Sequence, residues 1–547
     1  MLRRIYGCSF LPHHDYGKGG RGWRDLWQDC LALLIMEPEQ VRQMLIDNFG
    51  GVRFDGTNAT IIGSKQGEFI ADRNNITRVW MDHGAWPYLT IELYMQQTGD
   101  VEFLVEENSY FKDPQVCRGE EKDMIWNDEQ GNKQLAENNE VYAGTVLEHM
   151  LIQHLTAFYD VGEHNHIRLR GADWNDGLDM AAKRGESVAF TALYGGNLKN
   201  LAKDIKAYAE KTGNETVLLA KELLILLNVD KTVFDRIDEK KQVLDAYCET
   251  VKHTISGEKL RRCDELCSIL DSMGDWIGEH IRTTEWTTDK DGDGWFNGYY
   301  DNSGNAVEGD FPTGIRMMLT GQVFTVMADV ATDEQVVAIA KSADKYLYDE
   351  AIGGYRLNTD FKEVKTDLGR LFGFAFGHKE NGAVFSHMAT MYANSLYHRG
   401  YAKEGYKVIN SLFKHCDNYS KSGIYPGIPE YVSQRGRGMY HYLTGAASWM
   451  LLTVLNEMYG VKGEYGALKL KPQLLKEQFE NGKASATCMF NGKNITVTYK
   501  NDKALDAGQY SVKEIYIDGN KYGDCDTVLK EDVMKLNDTV NIVAILD

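Results

Sequence analysis

From Trp27 to about Gly460 the apolar residues recur at helical spacing, in segments such as LWQDCLALLIMEP, WPYLTIELYMQQTG, VYAGTVLEHMLIQHLTAFYD, FTALYGGNLKNLAKDIKAYAEK, ATMYANSLYHRGYAKEGYKVINSLFKHC and LTGAASWMLLTVLNEMYG. Apolar positions repeating at i, i+3, i+4 and i+7 mark amphipathic helices. The joining segments are rich in Trp, Asp, Asn, His and Gly, which suits a polar site at one end of a rigid helical scaffold. No strict repeat of fixed period runs through the helices, and this favours a closed ring of helical hairpins over an open solenoid. After Gly463 the period becomes two: ASATCMF, the turn Asn491-Gly492, NITVTYK, VKEIYI, Asp518-Gly519 and TVNIVAIL. That pattern predicts a small antiparallel β-sandwich. The chain is therefore expected to be mainly α, with a helical domain over residues 1–462 and a β-sandwich over 463–547, the boundary lying between Val461 and Gly466.

Composition narrows the function. The 547 residues include 60 basic and 80 acidic side chains, for a net charge of −20, and 43% are apolar. Such a chain has material for a large core, and its acidic balance argues against nucleic acid or an anionic membrane as partner. No apolar run approaches the ~18 residues of a membrane span, and the opening MLRRIYGCSFLPHH lacks the apolar run of a signal peptide. Nine scattered cysteines form no disulfide framework, so a reducing cytoplasm is expected. Cys263 and Cys267 read as core thiols, and His13-His14 and Glu163-His164-Asn165-His166 as solvated loops, so no metal is expected. Asp289, Asp291, Asp293 and Gly294 reproduce the opening of a calcium loop. Tyr300 stands where that loop needs a bidentate Glu, which leaves an Asp/Gly-rich hairpin as the reading.

Four clusters carry candidate chemistry. GADWNDGLDM offers Asp173, Trp174, Asn175, Asp176 and Asp179; a Trp face suits a sugar ring, and a carboxyl in a dry pocket beside it suits proton donation. The same residues also read as an Asx-turn cluster or helix cap. RGWRDLWQD offers Arg21, Arg24 and Asp29, able to bind sugar hydroxyls or phosphate, or else a helix start with surface ion pairs. GHKENGAVFSH offers Lys379, Glu380 and His387, or a polar loop leading into a helix. In HYLTGAASW, Thr444 and Gly445 open a helix whose unpaired N–H groups can hold an anion, or make a packing turn.

Taken together, RDLWQD, LEHML before GADWNDGLD, the WFNGYYDNSGN hairpin, KENGAVFSH and LTGAASW resemble the cellobiose phosphorylase family and its relatives, the inverting glycoside phosphorylases. The resemblance runs through nearly the whole chain. It implies a six-hairpin α/α barrel followed by a β-sandwich, with Asp176 as the general acid and Trp174 beside it in the donor-sugar pocket. Asp173 would orient the loop, and Arg24 and Asp29 would bind donor hydroxyls. His387, Thr444 and the Gly445 backbone would bind phosphate, Lys379 and Glu380 would face the acceptor, and Arg21 is an added phosphate ligand suggested by charge. His387 and an arginine would supply the positive charge opposite phosphate. No cofactor is implied; inorganic phosphate is the co-substrate. Family members carry a further N-terminal β-sandwich ahead of the barrel, so this chain resembles a catalytic half, and a homodimer or association with a separate N-terminal portion is the assembly expected.

The implied reaction is reversible phosphorolysis of a β-linked gluco-oligosaccharide to α-glucose 1-phosphate and a shortened sugar. The stretch from Ala59 to Pro87 resembles the branch acting on β-1,3-oligoglucans. Two competing readings stand: an inverting glycoside hydrolase on the same barrel, which needs a second carboxylate to activate water, and an inactive carbohydrate-binding fragment.

Overall fold

The computed structural model of the chain describes residues 21–36, 38–63, 65–71, 78–424, 427–440 and 445–547. The helical spacing resolves into α1 (Trp23–Met36), α2 (Pro38–Phe49), α3 (Ala85–Thr98), α4 (Val146–Tyr159), α5 (Val188–Thr212), α6 (Ile237–Thr250), α7 (Cys263–Thr284), α8 (Leu319–Met327), α9 (Asp333–Tyr346), α10 (Ser386–His398), α11 (Ala402–Asp417) and α12 (Gly445–Leu452). Helices α1, α3, α5, α8, α10 and α12 contact one another in that order, and α12 returns to α1, so the contacts close a ring. Helices α2, α7, α9 and α11 each pack on a ring member, and α4 packs on both α3 and α5.

Side-chain pattern explains the placement. Helix α11 buries Ala402, Gly405, Val408, Ile409 and Leu412 along one stripe, as a helix with one face in water must. Helix α4 is buried at every position from Val146 to Tyr159, and α10 from Ser386 to Tyr397. Chain entry is fixed by side-chain caps: Thr145 accepts from the Glu148 amide before α4 and Ser187 from the Phe190 amide before α5.

Beyond the helices lie β1 (Val461–Glu464), β2 (Ala467–Leu470), β3 (Lys483–Phe490), β4 (Lys493–Lys500), β5 (Val512–Ile517), β6 (Asn520–Gly523), β7 (Thr527–Val528) and β8 (Thr539–Leu546). They form a three-stranded sheet, β1-β2-β7, and a five-stranded sheet, β3-β4-β8-β5-β6. The two hairpins fall where expected: Asn491 and Gly492 both take positive φ (45° and 72°), as do Asp518 and Gly519 (47° and 84°), the requirement of a two-residue I′ turn. The purely antiparallel expectation is corrected, because β4 and β8 run parallel, from Asn494 opposite Thr539 to Lys500 opposite Ile545. Parallel neighbours need a long crossover, and the segment between β4 and β8 supplies it, giving β7 to the other sheet on the way. The expected boundary at 462/463 falls inside β1.

The Asp/Gly-rich hairpin is present, Trp286–Thr288 pairing antiparallel with Gly294–Phe296, and one other expectation is corrected. In the calcium-like hairpin the Lys345 ammonium takes the cation's place, 2.9 Å from Asp289, 3.1 Å from Asp291 and 2.8 Å from Asp293. The Glu163–His166 segment is not a solvated loop throughout. His166 is fully buried and bonds Glu285 at 2.9 Å, while His164 stacks on Tyr300 with centroids 3.6 Å apart; burial is possible because carboxylates meet these rings. His13-His14 lie outside the described residues. Among the described residues no helix is long and apolar enough to cross a membrane.

The β segment is seated on the helices by close backbone approach. A Cβ at Gly463 would lie 2.3 Å from the Gln96 carbonyl oxygen of α3, and beside it Tyr465 donates to Asp204 of α5 at 2.8 Å. Gly463→Val should therefore destabilise the protein by about 1–3 kcal/mol, the usual cost of overpacking, read as a lower midpoint in urea unfolding; an unchanged midpoint would show that the contact is soft.

Candidate active site

The Asp/Trp-rich loop is built by local hydrogen bonds that its own sequence provides. Asp173 Oδ1 accepts from the Asn175 amide at 2.8 Å and Asn175 Oδ1 from the Gly177 amide at 3.1 Å, two consecutive Asx turns. The structural and functional readings of this segment thus coincide, although the turns lead to no helix until α5. Just before them Ala172 is held at φ 146°, a conformation that a residue with a Cβ adopts only under constraint. Asp173 is completely buried, with Ser187 donating to its Oδ2 at 2.9 Å. Burial, reinforced by the Asp82 charge, pushes its carboxyl up to about 7.

Arg24, in the first turn of α1, gathers three segments. Its Nε and Nη2 donate to the two oxygens of Asp82 at 2.5 and 2.9 Å, Nη2 also to the Asp173 carbonyl at 2.8 Å, and Nη1 to Asp176 Oδ1 at 2.8 Å. Asp82 is fully buried and also accepts from Trp86 Nε1 at 2.7 Å. The Trp80 ring covers the guanidinium at 5.2 Å. Burial alone would lower the Arg24 pKa; the Asp82 and Asp176 charges reverse this and hold it well above its ordinary value. Of these carboxylates only Asp176 is open, its side chain 42% exposed.

His387, in the first turn of α10, joins the loop from the other side. Trp174 Nε1 donates to His387 Nδ1 at 3.2 Å, so Nε2 carries the proton that Gln28 Oε1 accepts at 2.8 Å. Gln28 also accepts from Trp449 Nε1 of α12 at 2.9 Å. Burial first, then the Arg24 charge, pull the His387 pKa down to about 3. The expected cationic His387 is therefore corrected: in this structure the ring is neutral, and Arg24 spends its charge on two carboxylates. Gly445 starts α12 directly against the ring, where a Cβ would lie 2.6 Å from His387 Cε1. Thr444 lies outside the described residues. With Ser187 bonded to Asp173, the site touches the N-terminal ends of α1, α3, α5, α10 and α12, where backbone N–H groups point outward and favour anions.

The remaining expected residues sit around this centre. Asp29 is 5% exposed, and its Oδ2 has no hydrogen-bond partner among the described residues. Burial, with Asp25 adding and Arg21 opposing, pushes its carboxyl well above the usual range. Arg21 lies on a short strand paired with Ile61–Ile62 and reaches the site through that charge interaction. Lys379 takes φ 50°, lies 3.4 Å from Glu430 and covers the Tyr440 ring at 4.2 Å. Burial pushes the Glu380 carboxyl up, with Lys379 opposing and Asp176 adding.

Asp82, Gln28 and Glu430 were not foreseen. Asp82 carried a signal, since it stands between Trp80 and Trp86 in WMDHGAWP, a carboxylate among aromatics. Gln28 stood inside RDLWQD without a role of its own and Glu430 carried no signal, because each acts through partners hundreds of residues away or in another loop.

Residues 251–460 match the family described as Glycosyl hydrolase 94 superfamily, catalytic domain. The chain is 23% identical to solabiose phosphorylase of Paenibacillus borealis over 515 residues, covering 92% of this chain and 53% of that protein. It is 23% identical to N,N'-diacetylchitobiose phosphorylase of Vibrio proteolyticus over 485 residues, covering 83% and 49% respectively. A shorter match, 24% over 171 residues, 29% of this chain and 22% of the other, joins it to cellobionic acid phosphorylase of Neurospora crassa. The chain thus spans about half the length of the two relatives that it matches most extensively. The family resemblance drawn from the motifs is borne out.

The raised Asp173 pKa has a measurable consequence. A carboxyl raised from its ordinary 3.8 to about 7 on folding gives stability that is complete below the ordinary value and lost as pH rises through 7. Asp173→Asn mimics the neutral form. Relative to the unaltered chain, the variant should gain a few kcal/mol in urea unfolding between pH 4 and pH 7, whereas parallel pH profiles would contradict a protonated Asp173.

Proposed function

We propose that this chain, a relative of the glycosyl hydrolase 94 phosphorylases by the matches above, carries out inverting phosphorolysis of β-linked gluco-oligosaccharides, releasing α-glucose 1-phosphate and a shortened sugar. The observation that carries this reading is Asp176, the open carboxyl of the loop, held by Arg24, with Trp174 of the same loop bonded to His387 against the start of α12. In this reading Asp176 is the group that delivers a proton to the glycosidic oxygen while phosphate attacks the anomeric carbon from the opposite face. Phosphate is already a nucleophile and needs only to be held in line, so one acid suffices.

Each neighbour has a part in this reading. The unpaired Asp29 Oδ2 accepts a donor-sugar hydroxyl, Trp174 borders the donor, and Lys379 and Glu380 meet the acceptor. Phosphate is held by the N-terminal end of α12, including Thr444 and Gly445, and by His387 Nε2–H exchanging Gln28 for a phosphate oxygen; Arg21 adds charge. Asp173 orients the loop. Neutral donors suit phosphate here, because N–H groups fixed in place need no reorganisation. The closed order of ring contacts supports a six-hairpin α/α barrel, and the two C-terminal sheets support a β-sandwich beyond it, divided near residues 462 and 463. A homodimer, or a complex with a separate N-terminal portion, acting in the cytoplasm completes the proposal, with β-1,3-linked glucans the first substrates to try.

The test is sugar 1-phosphate release from β-1,3-, β-1,4- and β-1,2-linked glucose oligomers with and without phosphate. Release should require phosphate and fall by about 10²–10⁴-fold in Asp176→Asn, the usual contribution of a general acid. Free sugar released without phosphate would instead establish hydrolysis.

A further inference from the structure

Cys117 and Cys248 meet away from the candidate active site. Cys117 opens the tip of a hairpin whose strands pair Gln115 with Lys122 and Val116 with Glu121. Cys248 lies on α6, 4% exposed. Both side chains line one cavity with Phe54, Val251 and Lys252, and the nearby Cys117 sulfur, together with burial, pushes the Cys248 thiol up. Cys117 Sγ also lies within 4.8 Å of carboxylate oxygens of Glu121 and Glu249, which hold the Lys252 ammonium at 2.6 and 3.0 Å. The pair Cys263 and Cys267, one turn apart on α7, behaves differently: those sulfurs turn to backbone carbonyls, of Asn214 at 3.8 Å and Ala202 at 3.2 Å.

We propose that Cys117 and Cys248 are a site of reversible oxidation, closing to a disulfide that pins the hairpin tip to α6. The chemistry needs a low-molecular-weight disulfide as oxidant. Cys117, the half-exposed member, attacks it as thiolate, forms a mixed disulfide and releases one thiol, which takes the Cys117 proton. Cys248 then attacks the Cys117 sulfur, its proton leaves with the second thiol, and the two electrons lost by the pair have reduced the oxidant. Proximity favours the second step over dissociation, because the partner thiol lines the same cavity.

The tip is a consequential place for such a link. Cys117, Arg118 and Gly119 take φ of 52°, 53° and 79°, a run of left-handed residues held by contacts rather than by preference. Arg118 Nε binds Asp160 Oδ2 at 2.7 Å, and Glu120 pairs with Arg168 at 3.0 Å and with Arg170. Arg170 shares Asp160, through Nη2 and Oδ1 at 2.7 Å, and stands three residues before Asp173. A cross-link at 117 therefore acts on the support of the Asp173–Asp176 loop.

The experiment treats the full reduced chain with oxidised glutathione, blocks remaining thiols, digests without reduction and maps the products by mass spectrometry. Most of the chain should yield a peptide pair joined through Cys117 and Cys248, lost on dithiothreitol treatment. In Cys248→Ser, Cys117 should stop at the glutathione mixed disulfide, and in Cys117→Ser, Cys248 should stay unmodified until the chain is unfolded. Arrest of Cys117 at the mixed disulfide in the unaltered, cooperatively melting chain would overturn the proposal, as would two unmodified thiols.

Discussion

A single part-buried guanidinium decides where the Asp173–Asp176 loop can go. Arg24 commits its N–H groups to Asp82, Asp176 and the Asp173 carbonyl, which belong to two segments far apart in sequence from each other and from α1. Removing one partner of such a group leaves charge that nothing compensates, typically at about 3–5 kcal/mol. The start of α1, the segment before α3 and the loop before α5 are consequently placed as a unit.

The rest of the site extends this constraint. The Asx turns and the strained Ala172 set the direction of the loop, burial pushes the Asp173 carboxyl up to about 7, and Ser187 ties it to α5. On the far side Trp174, His387, Gln28 and Trp449 form one chain of hydrogen bonds that settles which His387 nitrogen bears the proton. What emerges is a centre lined by oriented N–H groups and helix N-terminal ends, the groups on which the proposed phosphate site rests. Gly445 matters for the same reason, since only a residue without Cβ lets α12 approach His387 so closely.

Much of this was legible in the chain itself. The change of period near Gly463 separates helices from strands, and Asn491-Gly492 and Asp518-Gly519 announce their turns because few other residues accept positive φ. The motifs holding Arg24, Trp174, Asp176 and His387 are local words with fixed spacing. Three things were not local. The parallel pairing of β4 with β8 depends on a crossover that periodicity does not encode; the burial of His166 depends on Glu285, over a hundred residues away; and the neutral state of His387 depends on desolvation together with Arg24. Asp82 was visible as a residue among tryptophans but unreadable as the anchor of Arg24.

The most direct measurement is a double-mutant cycle on kcat/KM for phosphorolysis, using Arg24→Lys, Asp82→Asn and the pair. Lysine keeps the charge but lacks the planar fork. If Arg24 places Asp176 only when Asp82 orients it, each single change should lower kcat/KM by roughly 10²-fold and the pair by little more than either alone, since residues acting as a unit are non-additive. Near-normal turnover in Arg24→Lys, or losses that simply multiply, would contradict the account.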